Sequence, residues 1–258
     1  MAAPKNEKSV LLAHTIDFET GGLKCQTCAC TQIAVHTTRL DTFERVGSFV
    51  RYIRPYNKKD IKGTGTKRKT LKSKFDDQQE SMEYQEKALT YSAITMNMLY
   101  EKGEPIEDVA RELIEYLQDV TPKCKKNELP FFIGQNIPFD EGFLIQLMEY
   151  GDQLKELQKL VRGHEDFYGH WHPLYLDTIT LGQLALCHME HIDSYKLEIM
   201  CENLGIELDD AHDADADVSA TTNVAAVLTQ RMRSVGGVST GGSLTMAKAE
   251  KSRKHFKI

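Results

Sequence analysis

The sequence predicts an α/β fold, a mixed five-stranded sheet flanked by helices with its first strand central. Two observations carry the prediction. Three strand-like segments with short connections open the chain, which favours antiparallel neighbours. Helix-patterned and strand-patterned segments then alternate, which adds further strands under covering helices.

Residues 10–18 read as a buried strand running into a polar, Gly-containing turn at 20–23. Asp17 and Glu19 fall at its end, and strand alternation sends both to one side while Phe18 points to the other. Residues 31–37 and 45–53 are the next two strands. From 57 to about 86 the chain is polar and Lys-rich without apolar period, an insertion rather than core. Ile106, Val109, Ala110, Leu113, Ile114 and Leu117 then recur at helical spacing. Residues 131–134 form a short strand and 139–150 an amphipathic helix with Phe143, Leu144, Leu147 and Met148 on one face. A second insertion covers 151–173. Residues 174–176 give the last strand, and further helices are expected near 179–187, 195–204 and 216–230. Residues 236–243 are Gly/Ser-rich and linker-like. The reading is one domain over 1–230 and a flexible basic tail over 231–258.

A chain of 258 residues with 41% hydrophobic content can bury the core of one such domain. Its apolar run near the start is far shorter than a membrane span and has no signal-peptide pattern, so a soluble, cytoplasmic protein with no membrane partner is expected. Six cysteines in this length do not make a disulfide scaffold, and reduced thiols are the expectation. Cys25, Cys28 and Cys30 have a C-x-x-C-x-C spacing that could supply three zinc ligands, with Cys124 or a histidine as the fourth; cysteines packed in a strand-entry loop are the preferred reading. The net charge of -6 is uneven: residues 57–74 carry +7 and 231–258 carry +6, leaving -19 on the rest. An acidic body with two basic appendages suits a protein that gathers cations and touches a polyanion, although both segments also read as plain solvated surface.

Three motifs lie in order along this frame. Ile16-Asp17-Phe18-Glu19-Thr20-Gly21-Gly22-Leu23 is followed by Gln32-Ile33-Ala34. Next come Ile133-Gly134-Gln135-Asn136-Ile137-Pro138-Phe139-Asp140-Glu141-Gly142-Phe143-Leu144. Ser194-Tyr195-Lys196-Leu197, Leu204-Gly205-Ile206 and His212-Asp213-Ala214-Asp215-Ala216-Asp217-Val218-Ser219-Ala220-Thr221 complete the set. With these residues the chain resembles the DEDDh family of 3′→5′ exonucleases, which have the ribonuclease H-like fold and include epsilon-type proofreading subunits of bacterial DNA polymerase III. The resemblance spans residues 10–230.

The resemblance implies that Asp17, Glu19, Asp140 and Asp217 hold two ions of Mg²⁺ or Mn²⁺ and that His212 is the general base. Hard oxygen ligands suit such ions, which lie about 4 Å apart in two-metal phosphodiester hydrolysis. Without metal the packed carboxylates should raise one another's pKa. Asp213 and Asp215 compete for the last ligand position, and the trailing Val218-Ser219-Ala220-Thr221 selects Asp217. Asp177, before a helix, reads as an N-cap rather than a ligand. By the same resemblance Thr20, Gly21 and Leu23 hold the terminal nucleotide, with Leu23 wedged against its base, while Asn136 and Phe139 flank the scissile phosphate or base. Core packing is the competing role for Leu23 and Phe139.

The chain departs from the family pattern at Gln135, where His is usual, and at Ser92 and Ala93, where His or Asn and Gly are usual. The aromatic-rich stretch with Phe167, Tyr168, His170, Trp171 and His172 could stack bases, but filling gaps under loops is the preferred reading. The expected substrate partner is a single-stranded or frayed 3′ DNA end, acted on either by a proofreader bound to a replicative polymerase or by a free enzyme. RNA 3′-end trimming in the manner of RNase T or oligoribonuclease is the same-class alternative, and a non-catalytic nucleic-acid or polymerase-binding module is the different-class one.

Overall fold

The structure is a computed structural model that describes residues 10–59, 80–208 and 213–235. β1 (Leu12–Thr20), β2 (Cys30–Arg39) and β3 (Arg45–Tyr52) form the antiparallel meander. Two short helices follow, α1 (Glu86–Tyr91) and α2 (Met96–Lys102), then the long α3 (Ile106–Val120). β4 (Phe131–Gly134) leads into α4 (Ile137–Tyr150), and α5 (Leu154–Leu160) precedes a small hairpin, β5 (Gly163–Glu165) and β6 (Trp171–Pro173). β7 (Tyr175–Asp177), α6 (Thr178–Leu186), α7 (Leu197–Leu204) and α8 (Ala214–Val235) complete the described chain.

The main sheet has the order β3-β2-β1-β4-β7, with β4 and β7 added in parallel to the meander, so β1 is central as expected. Strand parity divides the molecule. Ile16 and Phe18 of β1, Ile33 and Val35 of β2 and Phe132 of β4 face a core closed by α3, α4 and α5. Ala13 and Ile133 face the opposite layer, closed by α6, α7 and α8. Asp17 and Glu19 have the parity of Ala13, so they emerge under α8.

β1 runs two residues beyond the expected end because the ladder continues through Glu19↔Gln32 to Thr20↔Cys30. α1 and α2 have only 6 and 7 residues, too short for an apolar repeat to declare itself. The expected basic insertion lies outside the described residues over 60–79, but its return is part of the body. Met82 is buried, and Glu83 O accepts from Ala29 N at 3.2 Å. In the second insertion Trp171 packs on the core, whereas Phe167 and Tyr168 are 96% and 81% exposed. The gap-filling expectation is therefore corrected for those two: the hairpin turn is closed by Asp166, which accepts from Tyr168 N and His170 N at 2.8 Å each, and leaves both rings outside. The linker and tail from 236 onward lie outside the described residues. Among the described residues, no helix is long and apolar enough to cross a membrane.

Candidate metal centre

Asp17 and Glu19 leave β1 on the same face, and α8 lays Asp217 against them. One carboxylate oxygen from each of the three lies within 4.8 Å of the others, and all three residues are partly buried. Asp140 reaches the same edge from the opposite layer. It sits in the first turn of α4, is 3% exposed, and its Oδ1 accepts from Phe18 N at 3.0 Å. The residue between the two β1 acids thus holds a fourth carboxylate near them, outside the group of three whose oxygens lie within 4.8 Å of one another.

Crowded charge in a poorly solvated place favours protonation. Burial, followed by the Asp217 and Asp213 carboxylates, pushes Asp17 up to about 8. Burial, then Asp17, Asp217 and Asp213, pushes Glu19 up to about 9. Asp140 is raised well above the ordinary carboxylate range by burial and by Asp17, against the lowering effect of the Phe18 hydrogen bond. The chain holds these groups together against their repulsion, as a site completed by cations would.

The three aspartates that open α8 separate into three roles. Asp213 caps the helix: its Oδ1 accepts from Asp215 N at 3.1 Å and from Ala216 N at 3.4 Å. Asp215 bonds His36 Nε2 at 2.6 Å, and Asp217 joins the carboxylate cluster. His212 lies outside the described residues.

The turn after β1 is stitched down by backbone bonds, Gly21 N to Ala29 O at 2.8 Å and Gln85 N to Gly21 O at 2.7 Å. A Cβ at Gly21 would come within 2.4 Å of Glu83 O, so only glycine fits there. Thr20 Oγ1 donates to Gly22 O at 2.9 Å, and Leu23 is 81% exposed. Phe139 packs on Phe143 with ring centroids 5.1 Å apart. Asn136 is exposed in a left-handed conformation, φ 56°, with its N–H on Asp177 Oδ1 at 3.2 Å. That oxygen also caps α6 through Ile179 N, at 2.9 Å.

At the departures from the family pattern, side chains turn to structural work. Gln135 donates to Tyr195 O at 2.9 Å and accepts from Thr178 Oγ1 at 2.6 Å, which ties the entry of α6 to the entry of α7. Ser92 is buried and its hydroxyl bonds back to Ala88 O and Leu89 O. Tyr91, which the motifs do not single out, is 64% exposed. Its hydroxyl is pushed up by partial burial and then by the Glu198, Asp217 and Glu19 carboxylates, so it lies within electrostatic reach of the cluster. Its position one residue before the altered Ser92 was the available signal.

The cysteines form no second metal-binding group among the described residues. Cys30 instead donates its thiol to Gln146 Oε1 at 3.1 Å, and Cys25 packs against α4 at Gly142. His172 bonds Glu141 at 2.7 Å.

Neither a protein-family model nor a curated protein matches the chain. Solved structures do. E. coli exonuclease I in complex with a dT13 oligonucleotide is similar at a TM-score of 0.61 and 20% identity, over 88% of this chain and 43% of that one. The zinc ion-bound E. coli exonuclease I–ssDNA complex gives 0.60 and 20%, over 89% and 43%. A moderately thermophilic exonuclease I from Methylocaldum szegediense gives 0.58 and 20%, over 88% and 42%. The chain therefore has the fold of a segment of these proteins and spans less than half of their length.

Proposed function

We propose that the chain is a metal-dependent 3′→5′ exonuclease of the DEDDh type that shortens single-stranded or frayed DNA from its 3′ end and releases nucleoside 5′-monophosphates. The observation that carries this reading is the convergence of Asp17, Glu19 and Asp217 within 4.8 Å, with buried Asp140 fixed to the backbone between the first two. The donors are all carboxylate oxygens with raised proton affinity, a set that fits Mg²⁺ or Mn²⁺. When bound, two such ions supply water activation and neutralise the charge that develops on the leaving 3′ oxygen.

The protein's own groups do the rest. Thr20, Gly21 and the exposed Leu23 would seat the terminal nucleotide, and Asn136 and Phe139 would flank the phosphate or base, with Tyr91 as a further ring within reach of the site. His212, assigned on its motif, would accept the proton of the attacking water. That similar structures are complexes with single-stranded DNA supports an unpaired DNA end as substrate. The free thiols suit a cytoplasmic location.

The test is digestion of a 5′-labelled single-stranded DNA and its RNA counterpart with Mn²⁺ or with chelator. The expected result is a ladder shortening from the 3′ end of the DNA, abolished by chelator and by Asp140→Ala. A ladder insensitive to either treatment, or none at all, overturns the reading; faster shortening of the RNA would make the chain a trimming exoribonuclease.

A further inference from the structure

The face of β2 that looks at α8 reads Gln32, Ala34, His36, at every second residue. In the register of the sheet these lie beside Glu19, Asp17 and Thr15 of β1. The two rows form a grid on which the start of α8 is laid. Ala34 packs against Ala214 and Val218, its small side chain admitting the helix closely. On one side of Ala34, Gln32 Nε2 donates to Asp213 Oδ2 at 3.2 Å while its Oε1 accepts from Ala214 N at 3.4 Å. On the other side, buried His36 meets Asp215 Oδ1 at 2.6 Å through Nε2. About two turns further along, Thr222 Oγ1 donates to Thr15 Oγ1 at 2.8 Å.

Asp217 thus enters a pocket of like charge on a helix gripped on both sides of it by polar contacts to the sheet. Repulsion among the acids pushes the start of α8 away from β1; the later turns are packed through Ala220, Val224, Ala225 and Leu228, but the first turns have only the small apolar contact of Ala214 and Val218 on Ala34 to oppose it. The His36–Asp215 bond is the shortest of the opposing contacts, with its imidazole buried.

We propose that His36, through Asp215, and Gln32, through Asp213 and Ala214, are positioning residues that set Asp217 at its distance from Asp17 and Glu19 and so govern the affinity of the site for divalent cations. This rests on the metal-dependent reading above. Ligand-orienting partners of this kind are worth roughly 10–100-fold in metal affinity.

The experiment is calorimetric titration of Mn²⁺ into the full chain without nucleic acid, with thermal melting of the same samples free of metal. Asp215 is half exposed, so Asp215→Ala carries little folding risk, and Asp215→Asn keeps an acceptor for His36 without the charge. The expected result is Kd raised roughly 10–100-fold in Asp215→Ala and largely restored in Asp215→Asn, with metal-free Tm lower in Asp215→Ala by no more than the roughly 2–8 °C that one unpartnered buried donor costs. His36→Leu should behave as Asp215→Ala and His36→Gln as Asp215→Asn. Equal Kd in Asp215→Ala and the unaltered chain overturns the positioning role. So does equal weakening in Asp215→Asn, which would mark a through-space charge effect. Absence of Mn²⁺ binding by the unaltered chain would instead overturn the metal reading itself.

Discussion

Phe18 N donates to Asp140 Oδ1 at 3.0 Å, so a main-chain group of the central strand holds a carboxylate that α4 delivers from the other side of the sheet. This bond separates the two things Asp140 does. It satisfies a backbone donor, and it places a charge.

Asp140→Asn keeps the acceptor and removes the charge, whereas Asp140→Ala removes both. Hydrolysis should fall at least about 100-fold in each, the scale of losing one preorganised electrostatic contact. The metal-free proteins should differ. Asp140→Ala orphans a buried N–H at about 1–3 kcal/mol, a drop of roughly 2–8 °C in Tm, while Asp140→Asn should melt no lower than the unaltered chain. Parallel melting curves check it.

The pH dependence has a definite sign. Asp17 is raised to about 8 and Glu19 to about 9, above an unfolded value of roughly 4. Between those limits the folded chain binds more protons than the unfolded one, so the contribution is fully present at low pH and is lost as pH rises through 8 to 9. Metal-free Tm should fall from pH 5 to 9, and the increment that Mn²⁺ adds should grow over the same window. Melts at several pH values with and without Mn²⁺ read both.

Gln146 is the hub under the loop that joins β1 to β2. Its Nε2 donates to Cys28 O at 3.0 Å and to Cys25 O, and its Oε1 accepts from Tyr56 OH at 2.6 Å and from the Cys30 thiol. Gln146→Leu would strand these groups at about 3 kcal/mol in total, a fall of roughly 6–12 °C in Tm. Faster amide exchange should be concentrated in residues 24–30.

Tyr91 is exposed, so Tyr91→Ala should leave Tm within about 1 °C, as surface changes do. Loss of its ring should lower kcat/KM on single-stranded DNA roughly tenfold, within the range of one base-stacking contact. Steady-state kinetics decide it, and Tyr91→Phe separates ring from hydroxyl.

Much of this was legible in the chain because it depends on local period. Two-residue alternation alone puts Asp17 and Glu19 on one face, and the helical recurrence from Ile106 to Leu117 matches α3. What was not legible lies in contacts between distant segments. Nothing local tells His36 that it will meet Asp215, nor Gln146 that it will gather Tyr56 and Cys30. Met82 disappeared into a polar stretch because a single apolar residue has no period, and Phe167 and Trp171 looked alike although only one is packed.

The most direct test of the central claim is to count ions by paramagnetic resonance during Mn²⁺ titration of the full chain. Saturation at two ions for the unaltered protein, with at most one in Asp17→Asn at the same concentrations, is the predicted result. Binding of no Mn²⁺, or the same count with Asp17 replaced, would contradict a two-ion site built on these carboxylates.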